Sequence, residues 1–325
     1  MKKSIFYFNV SCMASKDFRL NTKNIFPLLC ASFLYISLTA IVLHYSFLRS
    51  GKDFDVKGKD TLGISTEISK DASLDYPKFV GGSIVELEAR SAFAIDIATG
   101  AVLYDKNSLE SAMPASTSKV ITALVAFDAY DLGQKLLVPK IVVEGTKIGL
   151  IEGEEITVKD LLYALLVSSA NDSAEVLASG YPGGREMFIA SMNLKAQSLG
   201  LDSSLFLNPT GLDEESQTTT AQDLVKASFY AMQNPTFAEI VGTKRYSITN
   251  ADGQVTHNLN NINKLLWEVD GVKGVKTGKT DGARENLLTY IERGKAKIMI
   301  AILGSNDRFE ETKKLVDWIF SSYSF

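Results

Sequence analysis

A serine and a lysine three residues apart, Ser116-Thr117-Ser118-Lys119, run directly into the apolar stretch Val120-Ile121-Thr122-Ala123-Leu124-Val125-Ala126-Phe127. The stretch predicts a buried helix, and residues three apart share one helix face. An amine held beside a hydroxyl is a nucleophile with its own base. At a helix start, Ser116 would also sit where free backbone N–H groups and the positive dipole end favour developing negative charge. That is half of an oxyanion site. Two further groupings could serve the same chemistry. Ser169-Ala170-Asn171 falls between two predicted helices and could aim a hydroxyl and an amide into a cleft. Lys276-Thr277-Gly278 falls on a predicted strand, where an amine and a hydroxyl could hold a carboxylate. Gly278, without a side chain, would let a ligand backbone approach closely.

Each grouping alone is weak, since a Ser-x-x-Lys or a Ser-x-Asn arises by chance about once in a chain of this size. Ser191-Met192-Asn193 is a second Ser-x-Asn and reads as helix surface. A Lys-Thr-Gly is rarer, on the order of one chain in ten. All three in this order, on helix start, helix junction and strand, form a strong combination. Without it, Ser116 would read as a helix cap and Lys119 as a solvated lysine.

Composition narrows the alternatives. The chain of 325 residues has two histidines, His44 in an apolar N-terminal segment and His257 among Thr256, Asn258 and Asn260. A serine–histidine–acid triad would rest on His257 alone, and its surroundings read as a solvated loop. Both cysteines, Cys12 and Cys30, precede the part expected to fold, so neither a metal site nor a disulfide is expected there. No cofactor is implied. Lysine is the natural base that remains.

The chemistry needs elements to position it. Residues 1–24 carry Lys2, Lys3, Lys16, Arg19 and Lys23 against Asp17, leaving −8 on the remainder of a chain whose total is −4. An acidic body argues against nucleic acid as a partner. Residues 25–48 contain no Lys, Arg, Asp or Glu. They are long enough to span a bilayer as one transmembrane helix. The basic flank predicts a cytoplasmic tail over 1–24 and an extracytoplasmic body in a bacterial cell membrane. A cleaved signal peptide is the rival, but the stretch is longer than a usual signal core and ends in Tyr45-Ser46-Phe47-Leu48 without a small-residue cleavage pattern. Residues 49–80 are polar and mixed in charge, and read as a tether. The body, 81–325, is expected to be α+β. Ser91–Ile97 and Ala101–Asp105 flank the turn Ala98-Thr99-Gly100 as a hairpin. A largely helical middle spans about 114–240, with helices near 171–179, 184–199 and 220–232 and a capping box at Thr157–Asp160. Strands return at Gly274–Thr277, Asn286–Ile291 and Lys297–Leu303, with Glu292-Arg293-Gly294 as a turn and a last helix at 310–320. Strands at both ends predict one antiparallel sheet flanked by helices, with a mainly helical subdomain.

On these residues the chain resembles the penicillin-binding D-Ala-D-Ala carboxypeptidases, serine peptidases of bacterial cell-wall maturation. The resemblance covers roughly 85–321. Beyond the three motifs it includes Ala94-Ile95-Asp96 with Thr99-Gly100, Pro114-Ala115 before Ser116, and Asn208-Pro209-Thr210-Gly211-Leu212-Asp213. It implies a DD-peptidase/β-lactamase-like fold. It also implies that Ser116 attacks a peptidoglycan stem peptide ending in D-Ala-D-Ala, with Lys119 as base and Ser169 relaying a proton. Asn171 would bind the substrate backbone and Lys276 and Thr277 its carboxylate. The backbone N–H groups of Ser116 and Lys279 would form the oxyanion hole, Arg308 would assist carboxylate binding, and β-lactams would acylate the same serine. A base must be neutral, and burial together with the charge of Lys276 would lower the Lys119 pKa.

Departures from the family pattern are Ala170 where glycine is usual and Lys279 where an aromatic or histidine is common. The latter leaves the leaving-group side unspecified. Rival readings are a DD-endopeptidase using the same residues, an idle wall-binding module, and a class A β-lactamase. The last would need an Asp at position 170 and a deacylating glutamate; Glu186 lacks the flanking pattern.

Overall fold

The structure is a computed structural model that describes residues 75–250 and 253–325. The proposed cytoplasmic tail, the transmembrane stretch 25–48 and most of the tether lie outside the described residues. Among the described residues, no helix is long and apolar enough to cross a membrane.

Strand β1 (Lys78–Phe79) falls inside the segment expected to be tether, so the folded part begins earlier than residue 81. Strands β2 (Ser91–Asp96) and β3 (Val102–Lys106) form the expected hairpin. Its turn is tied by Asp96, whose carboxylate accepts from the Thr99 N–H and hydroxyl. A 3₁₀ turn, Ala115–Ser118, leads into helix α1 (Lys119–Ala129). Ser116 thus sits on a tighter turn just ahead of the α-helix. Strands β4 (Lys135–Leu137) and β5 (Glu155–Thr157) pair at the base of a long loop, 138–154, inside the region expected to be helical. Helix α2 (Val158–Val167) starts at Thr157, whose hydroxyl accepts the Asp160 N–H and donates to its carboxylate. Helices α3 (Asn171–Ser179), α4 (Gly184–Ser198), α5 (Ala221–Met232) and α6 (Pro235–Gly242) follow. Strands β6 (Arg245–Thr249) and β7 (Thr256–Asn260) form a hairpin the sequence did not reveal. His257 lies on β7 and is buried, not solvated in a loop. Helix α7 (Leu265–Glu268) precedes β8 (Val272–Thr280), β9 (Arg284–Arg293) and β10 (Ala296–Ser305). Glu292 and Arg293 belong to β9, so the turn falls at Gly294 and Lys295. Helix α8 (Arg308–Ser322) and β11 (Tyr323–Ser324) close the chain.

The main sheet is antiparallel with strand order β3-β2-β10-β9-β8, built from both ends of the described chain. Alternation along β10 explains its place at the centre, because successive side chains leave opposite faces. Ile298, Ile300 and Ile302 pack with Leu315, Val316 and Ile319 of α8. Met299, Ala301 and Leu303 pack into the larger core shared with α1, α2 and α5. Each fully buried isoleucine contributes roughly 1.5–3 kcal/mol. Helix α2 is buried along nearly its whole length, which follows from its near-continuous apolar run. The larger core supports the ends of α1, α2 and β8 from which the motif residues project.

Candidate active site

Lys119 begins α1 and is fully buried. Its Nζ lies 2.9 Å from Ser116 Oγ and 2.7 Å from Asn171 Oδ1, and also contacts the Thr210 carbonyl oxygen. A neutral amine has two N–H groups and one lone pair. The two N–H groups can donate to Asn171 Oδ1 and Thr210 O, and the lone pair then faces the Ser116 hydroxyl proton. Burial lowers the Lys119 pKa to about 7, against the opposing pull of the Asp172 and Glu175 carboxylates. The expected help from Lys276 appears in the other direction. Lys276 is itself pushed well below its ordinary value, by burial first and then by the charges of Lys119 and Arg308.

Ser169 and Asn171 bracket the junction of α2 and α3. Ser169 holds a left-handed backbone conformation, φ 60°, which breaks the helix and turns its side chain toward β8. Its Oγ accepts from Lys276 Nζ at 2.9 Å, and Lys276 also donates to the Thr277 carbonyl at 2.9 Å. Thr277 Oγ1 is buried with no hydrogen-bond partner among the described residues. Asn171 is held at three points. Its backbone N–H donates to Thr146 O at 2.7 Å, its Nδ2 to Glu144 O at 2.6 Å, and its Oδ1 receives Lys119.

Two glycines allow these elements to meet. A Cβ on Gly278 would come within 3.0 Å of the Ser116 nitrogen and of Ala115 Cβ. The close neighbour of this glycine is therefore the Ala115–Ser118 turn that carries Ser116. At Gly211, φ +81°, a Cβ would fall 1.9 Å from the Ala115 carbonyl oxygen. Asn208 shapes that turn, its Oδ1 accepting from the backbone N–H groups of Thr210 and Gly211.

The structure thus brings Ser116, Lys119 and Asn171 into one cluster and Ser169 and Lys276 into an adjoining pair. Lys279 and Arg308 stand differently. The Lys279 side chain is exposed and pairs with Glu285 at 2.9 Å. Arg308 donates from Nη1 to the Gly278 carbonyl at 2.8 Å, and its charge is felt by Lys276. Two contributors escaped the sequence reading. Asn286 on β9 donates to the Met113 and Pro114 carbonyls and accepts from the Gly304 N–H, tying the sheet to the nucleophile turn. The Thr210 carbonyl is a backbone group that carries no sequence signal. The second Ser-x-Asn is not plain surface, since Asn193 donates to Phe206 O and accepts its N–H, bracing α4. Glu186 is exposed on α4 beside Arg185.

The sequence pattern of the family described as D-alanyl-D-alanine carboxypeptidase matches residues 78–307. D-alanyl-D-alanine carboxypeptidase DacF of Bacillus subtilis is 34% identical over 247 residues, which is 73% of this chain and 63% of that protein. The chain therefore spans less than two thirds of that relative. A D-alanyl-D-alanine endopeptidase of Escherichia coli is 32% identical over 72% of this chain and 78% of its own length. The crystal structure of a Streptomyces DD-transpeptidase superposes with a TM-score of 0.70 at 29% identity, covering 74% of this chain and all of that one.

Proposed function

This chain belongs to the D-alanyl-D-alanine carboxypeptidase family of serine peptidases, and we propose that it removes the terminal D-alanine from peptidoglycan stem peptides. The three-way coordination of Lys119 Nζ carries the reading, because it leaves the amine lone pair facing Ser116. Lys119 takes the Ser116 proton as Oγ attacks the carbonyl between the two terminal D-alanines. Negative charge develops on that carbonyl oxygen, and the backbone N–H groups of Ser116 and Lys279 receive it. As the intermediate collapses, the Ser169 hydroxyl, oriented by Lys276, passes a proton to the departing amine and is reprotonated by the proton that Lys119 took from Ser116, which returns Lys119 to its neutral form. Water then attacks the acyl-enzyme, Lys119 takes a water proton and passes it to Ser116 Oγ as the ester bond breaks, and Ser116 is freed. The terminal carboxylate docks on Thr277 Oγ1, which has no other partner among the described residues, and on Lys276, whose protonation an arriving anion favours. Asn171 holds the substrate backbone. Arg308 holds the Gly278 carbonyl and adds positive charge near Lys276, which assists carboxylate binding. A β-lactam would acylate Ser116 by the same route. The N-terminal stretch 25–48 would anchor the enzyme in the bacterial membrane with its catalytic domain outside, a reading supported by its uniform apolarity and basic flank. Detergent-dependent extraction of the full chain, lost on deleting 1–48, tests it.

The endopeptidase name borne by the Escherichia coli relative supports a second reading, cleavage of cross-linked stem peptides by the same residues. Fluorescent penicillin, a pentapeptide and cross-linked muropeptides separate the possibilities. The wild type should label and release D-alanine from the pentapeptide, and Ser116→Ala should do neither. Labelling of Ser116→Ala would overturn the nucleophile. Cleavage of muropeptides alone would favour the endopeptidase, and fast turnover of the penicillin a β-lactamase.

A further inference from the structure

Glu154 and His257 form a buried pair that none of these steps uses. Their side chains are 5% and 6% exposed, and His257 Nε2 lies 3.1 Å from Glu154 Oε2. The other ring nitrogen, Nδ1, lies 3.2 Å from the Ile148 carbonyl oxygen. Both neighbours are acceptors. A neutral imidazole carries one N–H and can serve one of them, whereas a ring with two N–H groups serves both. The second carboxylate oxygen of Glu154 is buried without a hydrogen-bond partner among the described residues. A buried carboxylate so placed depends on a positive neighbour.

The two acceptors belong to one loop. Residues 138–154 span β4 to β5, and the loop base is closed by the Val138 N–H donating to Glu154 O. On its opposite side the loop meets the start of α3. The N–H groups of Ile148, Gly149 and Leu150 donate to the Asp172 carboxylate at 3.1, 2.9 and 3.1 Å. The carbonyls of Glu144 and Thr146 hold the Asn171 side chain and backbone. Ile148 therefore faces His257 through its carbonyl and Asp172 through its N–H. We propose that His257 is a positioning residue whose doubly protonated ring clips loop 138–154 to β7 and thereby fixes Asn171 against Lys119.

Other charged groups near the ring are engaged or solvated. Helix α2, packed on the β6–β7 hairpin, brings Lys159, Asp160 and Tyr163. Asp160 takes the Thr157 and Tyr246 hydroxyls, Tyr163 donates to Glu239, and Lys159 lies over the Tyr163 ring. On the loop, Lys140, Glu144, Lys147 and Glu152 are exposed, as are Glu155 beside it and Arg245 on β6. Among these, Glu154 is the ionisable group bonded to the ring.

The inference rests on the role given to Asn171, so its test includes a readout that needs no turnover. The full chain labelled with ¹⁵N-histidine gives the ring state, with His257 signals assigned by their loss in His257→Gln. Amide exchange gives protection factors for Ile148, Gly149 and Leu150, and fluorescent penicillin gives the acylation rate constant. Two protonated ring nitrogens are expected. His257→Phe should lower loop protection and acylation about tenfold each, the scale set by losing hydrogen bonds to a buried charged group. His257→Gln, which retains a donor, should lose less than His257→Phe. Glu154→Gln should likewise loosen the loop. A singly protonated ring across the pH range of stability, or unchanged protection in a folded His257→Phe, would overturn the proposal. A responsive loop in a protein that releases no D-alanine would sink the assigned function and leave the clip standing.

Discussion

At the scale of single residues, Lys119 as the proposed base should set the pH response. Its amine acts only when unprotonated, and burial brings its pKa to about 7. Below that value each pH unit should cost tenfold in acylation as the lone pair is lost, and above it the rate should level off. A rate constant for penicillin acylation that stayed flat from pH 5 to 8 would exclude Lys119 as the base. Thr277 yields a second expectation. Its hydroxyl is buried and unpaired among the described residues, so Thr277→Val removes a desolvated group with no bond there to lose. Stability should hold or rise slightly, while kcat/KM for a peptide ending in a carboxylate should fall about 10- to 100-fold, the worth of one hydrogen bond to a charged group. Melting and peptide kinetics on one preparation show whether the two effects separate. The clustering of Ser116 with Lys119 and of Ser169 with Lys276 was legible in sequence, because Ser-x-x-Lys and Lys-Thr-Gly each place two chemistries on one element. Asn286 and His257 were not legible. Each is a lone residue whose partners, Met113 and Pro114 for one and Ile148 and Glu154 for the other, come from distant parts of the chain.

At the scale of elements, close approach decides what the site tolerates. Gly211→Ala would drive a Cβ onto the Ala115 carbonyl at a backbone angle that disfavours alanine. The nucleophile turn must then move, so acylation should drop by about 100-fold or more and stability by roughly 1–3 kcal/mol. Acylation kinetics and a denaturant melt measure both; a variant with native kinetics would show that the turn yields freely. Long elements with steady patterns, such as α2 and β10, were readable from sequence because a single period runs their whole length. Strands β4 and β5 were not, being three residues each with one buried residue apiece, too short to display alternation. The β6–β7 hairpin was obscured by polar residues on its exposed face, where Arg245, Ser247, Thr249, Asn258 and Asn260 mask the buried Ile248, His257 and Leu259.

At the scale of the whole described molecule, the sheet draws strands from both ends of the chain and stands between two cores. The sequence suggested this arrangement because strand patterns flank the helical middle. It did not suggest β1, whose two residues pair with Tyr323 and Ser324. Phe79 stacks edge-on with Tyr323 and lies tilted 6.4 Å from Trp318, which holds that pairing in place. The described chain therefore comes back to where it started and is close to being a ring. A short Gly/Ser bridge from Phe325 to Asp75, with new termini cut at the exposed turn before α4, should give a circular permutant that folds, melts within a few degrees of the parent and labels with penicillin. Which peptide bond is left open would then be a matter of indifference to the active site, and the same fold could be entered and left from a different point on its surface.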